Sequence, residues 1–303
     1  MDVLKSPETE AQYRSIALRL LERFAHDAGD GRNWQTAPLD VANWLENSAR
    51  EKKWSRRTLG LYRASLAWFM RQNGPIEAVE SIRNVRLHLP LHGIATSGKK
   101  IKKLPPERLS RLLGYLDGSL NPLDHVIGHW LRAGVASGLR PCEWKTARLQ
   151  GLRLHVENAK GNAFRSNGEN RTLLFVLPEH KNEVKFIRRF LADLDLWLEA
   201  DKDFKTFYAA CRKRLYYVNR QLWPRSDQNI CLYSTRHQFA ADMKASGLKP
   251  AEIAALMGHA SDESATIHYA RKRSGHARFP PRISPEEIAS VRRNARMHPS
   301  ARN

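Results

Sequence analysis

The chain has 303 residues, 51 of them lysine or arginine against 31 aspartate or glutamate, a formal net charge of +20. That length leaves room for two domains with a core each, and that excess of cations argues for a polyanionic partner, nucleic acid before an anionic membrane surface. Three cysteines, Cys142, Cys211 and Cys231, with no Cys-x-x-Cys pair, give no support to a disulfide framework or structural zinc site and fit a reducing cytosol, while no signal-peptide core or bilayer-length apolar run is legible.

Residues 1–91 carry helical periodicity and predict a small helical bundle. Tyr13, Ala17, Leu20, Leu21 and Phe24 form one apolar stripe, Val41, Trp44 and Leu45 a second, and Leu59, Tyr62, Leu66, Phe69 and Met70 a third. Ser6 before Pro7, Asp40 before Val41 and Ser55 ahead of the third stripe offer side-chain acceptors to the free N–H groups of helix starts. Between the second and third stripes lies REKKWSRR, where Lys52, Lys53, Arg56 and Arg57 surround Trp54. It reads either as a solvated turn or as an edge that contacts phosphates.

Residues 92–104 predict a basic linker. HGIATSGKKIKK has no apolar period and ends in Lys99, Lys100, Lys102 and Lys103, so the tether can itself lie along a phosphate backbone.

Residues 105–303 predict a second domain, mostly helical with a small β-hairpin, so the fold class is mostly α with a small sheet. Pro105 and Pro106 open a helix with Leu109, Leu112, Leu113 and Leu116. Leu123, Val126, Ile127, Trp130, Leu131 and Gly134 predict another that ends near Gly138. Arg140 follows at once, and Glu143 stands one helical turn further on, where a carboxylate orients a guanidinium. Residues 152–157 and 171–177 read as strands of a hairpin, with Lys160 where the first strand runs out into a long polar loop. Val184, Ile187, Leu191, Leu194 and Leu198, then Phe204, Tyr208, Cys211, Leu215, Val218 and Leu222, predict two more helices whose stripes are core. Three short helical patterns occupy 233–275, with Phe239, Met243, Ile253, Leu256 and Met257 as apolar positions and with Arg236, His259 and Tyr269 where helices start or stop. Ser284, Pro285, Glu286 and Glu287 then start a last short helix, whose Ile288 and Val291 edge is too small to be a core and is expected to dock elsewhere.

Guanidinium, imidazole and phenol groups brought to one pocket suit attack on a phosphate: the donors hold anionic oxygens and the phenol supplies the nucleophile. Two arginines make sense there, because their forks meet equatorial oxygens bidentately. Each residue alone has a plainer reading. Arg140 and Arg236 would be surface arginines near helix ends, His259 a helix-ending histidine, Lys160 an exposed turn lysine and Tyr269 one of eight tyrosines.

Spacing changes that. Gly138-Leu139-Arg140-x-x-Glu143, then Tyr233-x-x-Arg236-His237, then Gly258-His259, and Tyr269 ten residues later, resemble the blocks of the tyrosine recombinases, the integrase family that cuts and rejoins DNA. Where that family has His or Lys three residues before the second arginine, this chain has Tyr233; a phenol hydrogen-bonds well but, with a pKa near ~10, is a poorer base than imidazole.

The resemblance implies a helical core-binding domain over 1–91 and a catalytic domain over 105–303 that clamp duplex DNA. Tyr269 would attack the phosphodiester, leaving a 3′-phosphotyrosyl link and a free 5′ hydroxyl. Arg140, Arg236 and His259 would hold the charge, Lys160 would act as general acid, and Tyr233 would add a hydrogen bond, with Glu143 and His237 in support. Arg271, Lys272 and Arg273 lower the cost of a phenolate near DNA. Neither metal nor cofactor is implied. Strand exchange implies a homotetramer on paired sites, with the tail helix docking on a neighbour. The alternatives are a type IB topoisomerase, which shares the catalytic set, and a non-catalytic DNA-binding regulator of the same fold.

Overall fold

The structure, a computed structural model, describes residues 7–86, 104–159, 167–200, 203–263 and 275–292. The chain divides into two compact units, Met1–Ser97 and Gly98–Asn303.

Four helices build the first unit: α1 (Pro7–Ala28), α2 (Asp40–Glu51), α3 (Arg56–Asn73) and α4 (Ile76–Asn84). The three apolar stripes meet in its core, with Ala17, Leu20, Leu21, Phe24, Val41, Leu45, Leu59, Leu66, Phe69 and Met70 buried, each large side chain stabilising by about 1.5–3 kcal/mol. Tyr13, Trp44 and Tyr62 stay half-buried at the rim. Trp44 packs edge-on against Phe24 at 5.9 Å and donates Nε1–H to Asp27 at 3.0 Å, which satisfies the polar end of its ring. Ser55 caps α3 by accepting from the Thr58 N–H at 3.1 Å. Asp40 does not cap α2. It is that helix's first residue, because the turn before it already closes with Asp40 N–H donating to the Ala37 carbonyl at 3.2 Å and no side chain caps the start. α4, unforeseen in the sequence, buries Ala78, Val79 and Ile82 against this core.

The second unit contains α5 (Pro106–Asp117), α6 (Pro122–Ser137), strands β1 (Arg148–Gln150), β2 (Arg153–Glu157) and β3 (Asn170–Leu174), then α7 (Lys181–Glu199), α8 (Phe204–Leu222), α9 (Ser234–Ala245), α10 (Pro250–Leu256) and α11 (Pro285–Ala289). α6 is the central element, packed by α5, α7, α8 and α9. Its Trp130 stacks between Phe190 of α7 at 4.8 Å and Phe207 of α8 at 5.7 Å. Small residues let α9 come close: a Cβ on Gly134 would lie 2.5 Å from the Thr235 hydroxyl. The hairpin is part of a three-stranded antiparallel sheet in the order β1-β2-β3, with Leu154 opposite Leu173 and Val156 opposite Arg171. The second expected strand stops at Leu174 rather than 177, where the chain turns away towards Pro178.

Three more details differ from the sequence reading. Leu104, placed in the linker, is buried in this core and donates its N–H to Gln238 at 3.2 Å. Phe190 and Phe207, absent from the expected stripes, are the fully buried residues stacked on Trp130, while Leu191 and Tyr208 are half-buried and pack against the same core. α11 packs on its own chain: Glu287 accepts the Thr172 N–H at 3.0 Å, its carbonyl takes Asn167 at 2.6 Å, and Val291 is buried. Residues 293–303 of that tail lie outside the described residues. Among the described residues no helix is long and apolar enough to cross a membrane.

Candidate active site

Two glycine-ended helices deliver the site. α6 ends where Gly138, at φ +68°, donates its N–H to the Gly134 carbonyl at 2.9 Å. A Cβ there would run into the Phe239 ring of α9, so the left-handed turn and the tight contact both call for glycine. The chain leaves that turn extended at Arg140 and tightens into a 3-10 turn over Pro141–Lys145, which swings Glu143 back. Glu143 accepts the Arg140 backbone N–H at 2.7 Å and an Nη1–H of the same guanidinium. α10 ends in the same way: Gly258, at φ +62°, donates to Ala255 at 2.9 Å and His259 N–H donates to Ala254 at 2.8 Å, closing a Schellman motif that presents the imidazole.

Arg236, fully buried in the first turn of α9, ties these ends together. Its Nη1 donates to the Gly138 carbonyl at 2.6 Å; its Nη2 donates to the Met257 carbonyl at 2.6 Å and to His259 Nε2 at 2.9 Å. A third guanidinium, from Arg171 of β3, donates Nη2–H to Glu143 at 2.8 Å, Nε–H to the Leu256 carbonyl at 3.0 Å and Nη1–H to Asn158. Arg236 Nη1 lies 3.7 Å from the same Glu143 oxygen.

Three buried arginines therefore surround one buried carboxylate. Burial alone would push the Glu143 carboxyl up, but Arg171, Arg236 and Arg140 outweigh it and hold the group well below the usual carboxylate range. Burial, followed by the fields of Arg236, Arg140 and Arg171, drives the His259 imidazolium the other way, so the ring is neutral across the physiological range. A guanidinium only donates, so His259 Nε2 is an acceptor and the ring proton sits on Nδ1. Arg140, its side chain 10% exposed, is the cation nearest solvent, and only one of its Nη groups is taken by Glu143. Such a site has room in its charge balance for an anion. Cys142 stands beside it, exposed, but burial of its sulfur and the Glu143 carboxylate push its thiol up, away from a nucleophilic thiolate.

The residues singled out in the sequence divide accordingly. Arg140, Glu143, Arg236 and His259 come together. Tyr233 is half-buried one turn before Arg236, its ring edge-on to His237 at 5.4 Å, and His237 packs the start of α9. Lys160, Tyr269, Arg271, Lys272 and Arg273, and in the linker Lys99, Lys100, Lys102 and Lys103, lie outside the described residues. Arg171 and Asn158 were not foreseen. The signal was present: Arg171 shares strand parity with Leu173 and Phe175, an arginine at an inward position.

In the first unit Lys53, Arg56 and Arg57 are exposed, while Lys52 is half-buried with its ammonium 4.0 Å from Asp27. A larger cationic feature lies on the α3 face. Arg63, Arg71 and Arg83, with Tyr13 and Trp68, line one depression of about 280 Å³, and Arg56, Arg63 and Arg86 line a second of similar size. Both are free of acidic lining residues.

Compared with solved structures, the chain has the fold of the tyrosine recombinases and integrases. It is 12% identical to a lambda integrase tetramer bound to a Holliday junction, over 88% of this chain and 73% of that one, with a TM-score of 0.53. It is 14% identical to a Tn1549 transposon integrase in complex with circular intermediate DNA, over 98% and 95% of the two chains, with a TM-score of 0.52. No protein-family model matches the chain, and no curated protein matches it.

Proposed function

We propose that the protein is a site-specific DNA recombinase that cuts and rejoins strands through a 3′-phosphotyrosyl intermediate on Tyr269. The observation that carries this reading is the cluster of Arg140, Arg171 and Arg236 around the single carboxylate of Glu143, beside a neutral His259. A phosphodiester carries one negative charge and the phosphorane formed from it carries two, so three guanidiniums around one carboxylate, an excess of positive charge among the described residues, favour the transition state over the ground state. The solved integrases of the same fold hold junction or transposon DNA.

In this mechanism the Tyr269 oxygen bonds to phosphorus as its proton passes to water and the bond to the 5′ oxygen breaks. His259 is not the base, since its acceptor nitrogen is occupied by Arg236; it helps to hold the developing charge. Arg140 and Arg236 meet the equatorial oxygens, Lys160 protonates the departing 5′ oxygen, and Tyr233 adds a hydrogen bond. An incoming 5′ hydroxyl reverses the step without a nucleotide triphosphate, because the ester bond is conserved. The arginine-lined face of α3 and the Lys52–Arg57 edge hold duplex phosphates, as do the linker lysines and Arg271–Arg273. The recombining assembly is a homotetramer on paired sites of a mobile element, in the cytosol.

A nicked duplex from which the short fragment bearing the new 5′ hydroxyl diffuses away traps the intermediate. The unsubstituted protein forms a covalent adduct that survives detergent, and Tyr269→Phe forms none. An adduct that persists in Tyr269→Phe overturns the assignment. Tyr233, standing where the family has His or Lys, is the feature that favours a non-catalytic regulator, and the same gel decides between the two.

A further inference from the structure

We propose that Arg171 is a positioning residue of this cluster: it sets Glu143, the base of the hairpin loop and the turn presenting His259 relative to one another, so that its loss slows strand cleavage without loosening the hold on DNA. This role rests on the cluster being the site of cleavage.

The side chain of Arg171 is 1% exposed, and its Nε, Nη1 and Nη2 each already donate to an acceptor within the protein. Its fork reaches three segments far apart in sequence, and each acceptor stands next to a functional group. Glu143 holds Arg140 by backbone and side chain. The Leu256 carbonyl belongs to the α10 terminus, just before Gly258 and His259. Asn158, whose Oδ1 accepts from Arg171, donates Nδ2–H to the carbonyls of Asn167 and Gly168, both at 3.0 Å, and so closes the base of the loop that carries Lys160. A planar guanidinium serves three acceptors in fixed directions; an ammonium is a point charge that cannot.

Packing alone does not explain an arginine here. The position shares its inward register with Leu173 and Phe175, and an apolar residue would fill it without burying a charge. Gly258 is shaped around it: a Cβ on that residue would lie 2.7 Å from Arg171 Nη1.

The test compares Arg171→Met and Arg171→Lys with the unsubstituted protein for affinity to nicked duplex and for the single-turnover rate of adduct formation. Arg171→Met is expected to hold DNA within about threefold of normal and to react roughly 10²-fold more slowly, the size of effect that an ångström of misplacement produces. Arg171→Lys falls between. In an Arg140→Ala background the further loss from Arg171→Met shrinks, because the two act through Glu143. Asn158→Ala, which cuts one arm and leaves the rest of the fork in place, gives a second readout should Arg171→Met fail to fold. It slows cleavage at an ordinary 5′ oxygen and is restored by a 5′-bridging sulfur, which leaves without needing a proton. An unimpaired Arg171→Met rate, affinity lost in step with rate, fully multiplicative losses with Arg140→Ala, or equal slowing of Asn158→Ala on both leaving atoms overturns the role of Arg171. No adduct from the unsubstituted protein overturns the cleavage reading and this role with it.

Discussion

Gly258→Ala and Gly247→Ala separate backbone strain from damage to the arginine cluster. Both glycines follow a helix of the same unit with positive φ, +62° and +86°. An alanine in that left-handed conformation costs about 1–2 kcal/mol at either position. At Gly247 nothing lies within 4 Å of the new Cβ, so the strain is the whole cost. At Gly258 the Cβ collides with Asn158 Oδ1 and comes within 2.7 Å of Arg171 Nη1, so their charge-assisted hydrogen bond must open. That adds about 1.5–3 kcal/mol, for a total of roughly 2.5–5 kcal/mol. In a unit of this size, at about 3 °C per kcal/mol, the melting midpoint falls by about 4–5 °C for Gly247→Ala and by about 11 °C for Gly258→Ala. Circular dichroism melts of the two variants measure the gap. Equal midpoints would refute the claim that Asn158 and Arg171 brace the turn before His259.

The remaining expectations concern charge. Glu143→Gln leaves three buried guanidiniums without a counter-ion and should destabilise the protein by about 3–5 kcal/mol in urea titrations, with millimolar sulfate restoring part of the loss; an unchanged urea midpoint contradicts this. The folded His259 titrates below its unfolded value of about 6.5, so its contribution is fully present above that pH and is lost as pH falls below it. The urea midpoint should therefore decline from pH 7.5 to 5, and His259→Gln should flatten the decline; an identical slope in both proteins is the adverse result. Glu143, held low in the fold, adds little slope in that window, because its contribution is lost only as pH falls below its unfolded value near 4.5 and on towards the lowered folded one. Arg63→Ala and Arg71→Ala, on the α3 face, should each lower the salt slope of duplex binding by about one; slopes equal to that of the unsubstituted protein would remove this face from the interface.

Local signals carried most of what could be read from the residues alone. Arg140 and Glu143 sit three apart, and Arg236 and His237 open a helix, so their relation is one of spacing along the chain. Gly138 and Gly258 likewise mark their helix ends through the left-handed turn that each supplies. Arg171 was invisible for the opposite reason: its contacts lie 28, 13 and 85 residues away, and nothing near it in sequence names them. β1, three residues long with one half-buried position, has too little alternation to register as a strand. α4 presents only Val79 and Ile82 as large buried side chains, with Ile76 exposed, so its stripe is faint. Asp40 has the composition of a cap but follows a turn that has already begun the helix. The docking of α11 depends on the Thr172 N–H and the Asn167 amide, groups supplied by a distant strand and loop.

Peptide mapping of the trapped adduct asks most directly which oxygen meets the phosphorus. After protease and nuclease digestion, mass spectrometry should find the residual nucleotide on the peptide bearing Tyr269. A nucleotide on Tyr233 or any other tyrosine, or a protein that carries none, would contradict the proposed chemistry.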